Sequence, residues 1–410
     1  MLLRLAIFLQ PHSNGIGVAG HERAMKDAKP VFLLWIIGLT LRVTMLAVPP
    51  VLVLIQSDLG MSGTQVAVLS SLPVVILALA SVPGSLMISY LGALRTLVAG
   101  MWVMAFGGAL RALSYDVWTL YGATVVMAAG LAVMQIALPP LVRSWLPQRV
   151  TFGAAVYANG LLVGELFPIS LTVMLLPLLW DSWRFGLAFW SIPVVVIAVV
   201  IMIMAPRDAR ASGDTVVPAW MPDWRDITVW KLGCLLGGSN IIYLGTNAFI
   251  PAYHTQAGRP DLIVIVLTAL NAAQFPASFL LLVGARYAER KIWPFVACGL
   301  MVFAGLFGLL TTASGWTIFY GALIGFASAG TLALILPLPA LLAAPDNVAR
   351  VSAAMYVIGY VLGVTLSVVG GVLWDLFADA RFGFVSVATG ALLMFVAIAL
   401  PFRRTQKAVA

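Results

Sequence analysis

Residues 31–56, VFLLWIIGLTLRVTMLAVPPVLVLIQ, form an apolar run of 26 residues that contains one charged side chain, Arg42. As a helix with a rise of ~1.5 Å per residue, the run would be ~39 Å long, enough to cross a hydrocarbon layer of ~30 Å. Arg42 would then lie ~16 Å from its start, near the bilayer midplane. A charge at that depth costs at least ~2.5–3.5 kcal/mol to insert, so we expect it to face the protein interior or water and to have a function.

The composition of the whole chain is that of a membrane protein. Of its 410 residues, 62% are hydrophobic and 9% are charged, whereas a soluble domain has about 25% charged residues. Repeated apolar runs of this length predict an all-α polytopic membrane protein with 12 transmembrane helices. The predicted spans are residues 31–56, 64–89, 95–113, 117–143, 151–179, 184–205, 230–254, 261–286, 292–312, 316–343, 348–373 and 383–401.

The longest predicted connection is polar and lies at the centre of the chain. Residues 206–229, PRDARASGDTVVPAWMPDWRDITV, separate two sets of six spans. The predicted organisation has five parts. They are a cytoplasmic N-terminal tail at 1–30, interpreted as either an over-extended start or a disordered segment; a six-helix half at 31–205; a cytoplasmic linker at 206–229; a second six-helix half at 230–402; and a cytoplasmic C-terminal tail at 403–410.

The basic residues predict the orientation of these spans. With the N-terminus in the cytoplasm, 17 of the 23 Lys and Arg residues fall in cytoplasmic segments. The outside connections hold only Arg111, Arg184, Arg259 and Arg381. Because cytoplasmic loops carry an excess of Lys and Arg, both termini are predicted to be cytoplasmic, in a bacterial inner membrane. The net charge of +8 is scattered over short loops, so we expect no nucleic-acid partner.

The two halves also share a sequence repeat. AVYANGLLVGE at 155–165 aligns with AMYVIGYVLGV at 354–364, an offset of 199 residues, and Pro140 and Pro339 share that offset. Six-helix halves related in this way are typical of secondary transporters, whose substrate site lies near the membrane midplane where the repeats meet. The sequence therefore predicts two pseudo-symmetric halves.

Paired glycines recur within this repeat. Gly160 and Gly164 in the fifth span match Gly359 and Gly363 in the eleventh. Glycines four residues apart let two helices approach closely, so these pairs are predicted to be packing faces rather than binding residues.

Several local motifs resemble those of one transporter family. They are Leu41-Arg42 followed by Pro49-Pro50, LPPLVR at 138–143, SWR at 182–184, and Met355 with Gly359-Tyr360. On these motifs, residues 30–402 resemble a major facilitator superfamily transporter, and within that superfamily the cyanate/nitroimidazole-transporter (CynX/NimT) branch. Thr40 and Val43 depart from it, since that branch has Asn and Pro there. The resemblance implies a central cavity lined by spans one, four, seven and ten, alternating access and a monomeric protein.

Arg42 has two interpretations. A guanidinium binds carboxylates and similar oxyanions through paired hydrogen bonds, so Arg42 is predicted to bind an anionic substrate. The alternative is a structural cation that is paired with a neighbouring helix.

Glu165 is the only acidic residue in the middle of a predicted span. A desolvated carboxylate can take up a proton, so Glu165 is a candidate for proton coupling and gating. It could equally be the neutralising partner of Arg42, because the first and fifth spans are neighbours in the superfamily. A pair of Arg42 and Glu165 that opens when substrate or a proton arrives would combine both roles, with both residues in coupling and gating.

Other polar side chains lie within apolar spans and need partners there. We predict that Gln135, Tyr243, Asn247 and Tyr356 bind substrate, with Asn159, Asn240, Asn271 and Gln274 as weaker candidates. His254, near the outer end of the seventh span, is predicted to be a solvated helix end. No Cys/His metal spacing and no glycine-rich phosphate loop is present in the sequence, so no metal, cofactor or enzymatic activity is expected.

Together these features predict a secondary active transporter. It would move a small organic or inorganic anion across the inner membrane by alternating access, with a proton as the coupling ion. One alternative is an exporter of drugs or metabolites with the same fold, which the aromatic and Met-rich spans support. Another is a non-transporting membrane receptor, which the two-half repeat disfavours.

Overall fold

The computed structural model describes residues 18–206, 221–288, 291–312 and 314–399, and all regular structure in these ranges is helical. The first part of the predicted N-terminal tail, residues 207–220 of the predicted linker and the predicted C-terminal tail lie outside the described residues. The chain divides into two compact units, Met1–Pro218 and Ala219–Ala410.

The N-terminal unit contains eight α-helices, with short 3-10 segments at Pro49–Val51, Arg111–Leu113 and Leu176–Leu179, in the part of it that the structure describes. The α-helices are α1 Val18–Val43, α2 Leu52–Leu59, α3 Gly63–Leu91, α4 Ala93–Leu110, α5 Val117–Trp145, α6 Val150–Leu175, α7 Trp183–Phe189 and α8 Ser191–Met204.

The described part of the C-terminal unit contains a further eight α-helices, with 3-10 segments at Pro260–Leu262, Pro345–Asn347 and Ala380–Gly383. The α-helices are α9 Ile227–Gln256, α10 Ile263–Ala272, α11 Gln274–Ala288, α12 Trp293–Thr311, α13 Thr317–Ile335, α14 Leu338–Leu342, α15 Val348–Phe377 and α16 Phe384–Ala399.

Polar residues cap several helices where the predicted spans begin. Ser62 and Gln65 form a reciprocal capping box at the start of α3, and Asp116 caps α5 by accepting from the backbone N–H groups of Trp118 and Thr119. The hydrogen bonds from Thr119 keep the pKa of Asp116 below its usual value. These caps satisfy backbone donors that a helix start leaves unpaired, so the turns between spans are encoded locally.

Eleven helical segments among the described residues are long and apolar enough to cross a membrane, and Pro49–Leu59 is a shorter apolar segment. The predicted all-α fold with 12 transmembrane helices in two six-helix halves is confirmed, and α1 together with Pro49–Leu59 forms the first of the 12. Helix α1 begins at Val18, so residues 18–30 of the predicted N-terminal tail belong to the same helix as the start of the first span.

The first span is not one continuous helix, contrary to the prediction for residues 31–56. Helix α1 ends at Val43, residues 44–48 form turns, and α2 starts at Leu52. The cause is the Pro49-Pro50 pair, which supplies no backbone N–H to bond the carbonyls four residues earlier. The N–H of Val48 donates to Met45 O at 3.4 Å, three residues earlier, and not to Thr44 O as in a regular α-helix. Arg42 therefore lies in the last turn of α1, next to the break.

Glycines set the closest helix approaches in each unit. A Cβ added at Gly160 or Gly164 of α6 would collide with the carbonyl oxygens of Trp35 and Leu39 in α1. In the C-terminal unit, a Cβ at Gly359 of α15 would lie 2.7 Å from Leu236, and one at Gly363 3.0 Å from Asn240, both in α9. The predicted role of these glycines in close helix packing is confirmed.

Candidate substrate-binding site

The structure brings the two charged residues of the predicted site together. Arg42 Nη1 lies 3.3 Å from Glu165 Oε1, and their side chains are 24% and 12% exposed. Arg42 stands in the last turn of α1, where a positive charge interacts favourably with the helix dipole. The pairing considered for these residues is confirmed, and their roles in binding and coupling stay predictions.

Local packing explains why this ion pair forms. Glu165 directly follows Gly164, and the missing side chain at Gly164 lets α6 lie against the backbone of Leu39, three residues before Arg42. Next to this contact, Trp35 Nε1 donates to Asn159 Oδ1 at 3.0 Å and links the same two helices. The close contact of α1 with Gly160 and Gly164 thus determines the distance between Arg42 and Glu165.

Arg111, which the sequence predicts to lie in an outside connection, is buried in the segment between α4 and α5. It is 0% exposed and follows directly after α4. Its Nη2 donates to Thr44 O at 2.8 Å. This carbonyl has no helical partner, because the N–H of Val48, four residues later, donates to Met45 O. The buried guanidinium therefore stabilises the break of the first span.

A second contact holds the short helix α2. Asp58, near its end, lies 2.7 Å from Arg184 Nη1, and Trp183 Nε1 donates to the same carboxylate oxygen at 3.1 Å. Arg184 Nε also donates to Ser114 O at 2.8 Å. Helix α2 is thus attached to α7 on one side of the break, while Arg42 and Glu165 pair on the other.

In the C-terminal unit, Tyr243 and Asn247 belong to one network of neutral polar side chains. Tyr243 Oη donates to Asn271 Oδ1 at 3.1 Å, and Asn271 Nδ2 donates to Asn247 Oδ1 at 3.2 Å. Gln274 Nε2 donates to Asn271 Oδ1 at 3.0 Å. Asn271 is the centre of this network, although the sequence ranked it below Tyr243 and Asn247. Asn271 lies in α10, next to its junction with α11.

The remaining predicted substrate-binding residues are Gln135 and Tyr356, on α5 and α15. Gln135 is half-buried on α5. Tyr356 on α15 is 1% exposed, and its ring stacks on Tyr360 with a centroid distance of 5.9 Å.

His254 is not a solvated helix end, contrary to the prediction. It is 1% exposed, with Nδ1 at 3.1 Å from Ile250 O and Nε2 at 3.4 Å from Thr317 Oγ1. Packing of α9 against α13 covers the imidazole, and the sequence around His254 carries no signal of that packing. Among the described residues, no cluster of His, Cys, Asp and Glu is suited to hold a metal ion.

The comparison with known families identifies the chain. A family model described as Major Facilitator Superfamily matches residues 32–368. The chain belongs to the Major Facilitator Superfamily. This match covers most of both six-helix halves, including Arg42 and Glu165, and the superfamily consists of transporters of small molecules in a lipid bilayer.

Within the superfamily, curated relatives agree with the branch predicted from the motifs. The cyanate transport protein CynX of Escherichia coli (strain K12) is 22% identical over 345 residues, covering 84% of this chain and 88% of the relative. The 2-nitroimidazole transporter of Escherichia coli (strain K12) is 25% identical over 375 residues, covering 88% and 92%. The chain is thus similar to the cyanate/nitroimidazole-transporter branch.

Solved structures show the same fold. The transporter FucP in its outward conformation has a TM-score of 0.72 at 13% identity, covering 91% of this chain and 98% of FucP. The proton:xylose symporter XylE bound to 6-bromo-6-deoxy-D-glucose has a TM-score of 0.70 at 11% identity, covering 92% and 95%. These similarities establish the major facilitator fold.

Proposed function

We propose that this superfamily member is a secondary active transporter of a small anion, with Arg42 as the substrate-binding charge. The observation that supports the proposal is the Arg42–Glu165 ion pair in the last turn of α1. The two side chains are 24% and 12% exposed, so neither charge is fully enclosed by protein. A cyanate transport protein among the relatives agrees with a small anionic substrate.

The ion pair also suggests how binding is controlled. An arriving anion competes with the Glu165 carboxylate for the guanidinium, because both are acceptors for the same N–H donors. When Glu165 takes up a proton it loses its negative charge, and Arg42 becomes available to the anion. One proton and one monovalent anion then enter together without a change in net charge. Proton symport in the direction of uptake follows from this scheme.

The C-terminal unit would contribute neutral groups. At the repeat offset of 199 residues, Arg42 corresponds to Ile241 and Glu165 to Val364, so neither charge is repeated. Tyr243 and Asn247 are partly exposed and already take part in a hydrogen-bonded network. We propose that they supply uncharged hydrogen bonds to the substrate, and that Gln135 and Tyr356 assist in its binding.

The proposal extends to the cellular setting. The relatives named above are bacterial, and 17 of the 23 Lys and Arg residues lie in segments assigned to the cytoplasm. On the positive-inside rule, both termini are proposed to face the cytoplasm from the inner membrane. The proposed functional form is a monomer.

The test is uptake of radiolabelled cyanate into proteoliposomes. Wild-type protein is expected to accumulate cyanate when the outside is made acidic, and Arg42→Gln is expected to lose at least tenfold in uptake. Arg42→Lys keeps the charge but lacks the planar guanidinium, so partial activity is expected. Equal uptake by wild type and Arg42→Gln would contradict the assignment of Arg42.

The role of Glu165 requires a separate measurement. Wild-type uptake is expected to rise as the external pH falls, since protonation of Glu165 promotes anion binding. Glu165→Gln mimics the protonated carboxylate, so cyanate exchange should persist and lose its dependence on pH. If Glu165→Gln keeps the wild-type pH profile, coupling does not pass through this residue.

An exporter of drug-like heterocycles is the second candidate, and the 2-nitroimidazole transporter among the relatives favours it. The discriminating measurement is growth of cells with and without the protein on 2-nitroimidazole and on cyanate. Protection against 2-nitroimidazole, with no effect on cyanate and no loss in Arg42→Gln, would support the exporter over the anion transporter.

A further inference from the structure

Arg111 lies in a buried cluster of polar atoms that the proposed transport mechanism does not use. Besides Nη2, which donates to Thr44 O, the guanidinium carries Nε and Nη1, and both are buried without a hydrogen-bond partner. The hydroxyls of Thr44, Ser114 and Ser191 are also buried without partners. We call these three hydroxyls and the guanidinium the Arg111 cluster.

These groups come from three places in the fold of the N-terminal unit. Thr44 follows α1, and Ser191 starts α8. Arg111 is the first residue of the 3-10 segment after α4, and Ser114 directly follows that segment. A Cβ added at Gly108 of α4 would collide with Ser191 Oγ and lie 3.7 Å from Arg111 Nη2. The absence of a side chain at Gly108 therefore lets the serine and the arginine approach each other.

The charge of Arg111 is not balanced by a carboxylate among the described residues. In the N-terminal unit, Asp58 pairs with Arg184 and Glu165 pairs with Arg42. Asp116 caps α5 and Asp181 is exposed. An arginine stays protonated in proteins, so an uncompensated charge persists at a site that is 0% exposed. Burial of a lone ion is strongly unfavourable unless a counter-charge accompanies it.

The chemistry of the cluster indicates what the counter-charge is. Two guanidinium nitrogens and three hydroxyls all offer hydrogen-bond donors, and a single positive charge calls for a single negative one. We propose that the Arg111 cluster binds a small monovalent inorganic anion, such as chloride or nitrate, at a site separate from Arg42. The bound anion would neutralise the arginine that donates to Thr44 O at the break of the first span.

The test is thermal unfolding of the purified full-length protein in sodium chloride, sodium nitrate or sodium gluconate at equal sodium concentration. Gluconate is too large for a closed site, so chloride and nitrate are expected to raise Tm by about 3 °C relative to gluconate. Arg42→Gln, the matched control, should keep this rise, since the Arg111 cluster does not include Arg42. Loss of uptake in Arg42→Gln together with retention of the rise separates the two sites.

Variants of the cluster decide the outcome. Arg111→Gln should abolish the anion-dependent rise in Tm. If Arg111→Gln fails to fold, Ser191→Ala and Thr44→Val each remove one hydroxyl with little change in shape, and each should reduce the rise by half or more. A rise of equal size in folded Arg111→Gln, or in both hydroxyl variants, would overturn the proposal. If chloride and nitrate do not raise the Tm of the wild type, the proposal is also overturned, and water fills the cluster instead.

Discussion

The energy of the Arg42–Glu165 pair can be measured with a double-mutant cycle of Arg42→Gln and Glu165→Gln. At the observed separation of 3.3 Å, two unit charges attract by ~5 kcal/mol with an effective dielectric constant of 20. Desolvation of two side chains that are 24% and 12% exposed offsets much of this attraction. We therefore expect a coupling energy of about 2 kcal/mol, above that of a surface pair and below the full Coulomb term.

The measurement is the free energy of unfolding in mixed detergent micelles with increasing SDS, followed by tryptophan fluorescence. Glu165→Gln leaves the guanidinium without its carboxylate and is expected to cost about 2–3 kcal/mol. Arg42→Gln leaves a carboxyl that can neutralise itself by binding a proton, so a smaller cost of about 1–2 kcal/mol is expected. The double variant should lose about 1–2 kcal/mol, because no unpaired charge remains.

The pair Arg259–Asp261 serves as the matched control. Its atoms are closer, at 2.9 Å, but its side chains are 39% and 61% exposed. The same cycle on this pair should give a coupling energy below about 1 kcal/mol. Additive effects of Arg42→Gln and Glu165→Gln, within about 0.5 kcal/mol, would refute the reasoning that burial makes their ion pair strong.

Two further predictions concern packing and the neutral network. Gly164→Leu should lower the free energy of unfolding by at least about 3 kcal/mol, because its Cβ would collide with the carbonyl oxygen of Leu39 in α1. Gly122→Ala in α5 is the control, since a Cβ there meets nothing within 4 Å. This variant should be neutral or stabilise the protein by up to about 1 kcal/mol. Equal losses of stability in the two variants would show that the collision is not the cause. Asn271→Leu should cost about 1–3 kcal/mol, because it leaves the hydrogen-bond partners of Asn271 unsatisfied. Thermal unfolding in detergent measures this loss, and an unchanged Tm would mean that water replaces the amide.

The ion pair shows how far the sequence could predict the candidate site. A charge within an apolar run is unfavourable wherever the chain folds, so Arg42 and Glu165 could each be singled out from their neighbours alone. Their pairing was one of two open interpretations. The alignment of α1 with α6 through Gly160 and Gly164 settled that they meet, because packing determines which turns of two helices face each other.

Arg111 and His254 mark the limit of that reasoning. Each stands close to a predicted span end, where solvent is the default environment for a polar side chain. Their burial depends on helices distant in the sequence, at Thr44 for Arg111 and at Thr317 for His254. Hydropathy and loop charge describe one segment at a time, so they cannot predict that a distant helix buries Arg111 or His254.

The sequence by itself determined the membrane class, the number of spans, the two-half repeat and the residues whose charges are unfavourable in an apolar span. Each of these depends on composition, spacing or the absence of an N–H group, which are properties of the chain before it folds. The tertiary structure decided which carbonyl at the break of the first span is left without a helical partner, and that a buried arginine donates a hydrogen bond to it. Those outcomes depend on which helices approach within hydrogen-bonding distance, and only packing in three dimensions sets that distance.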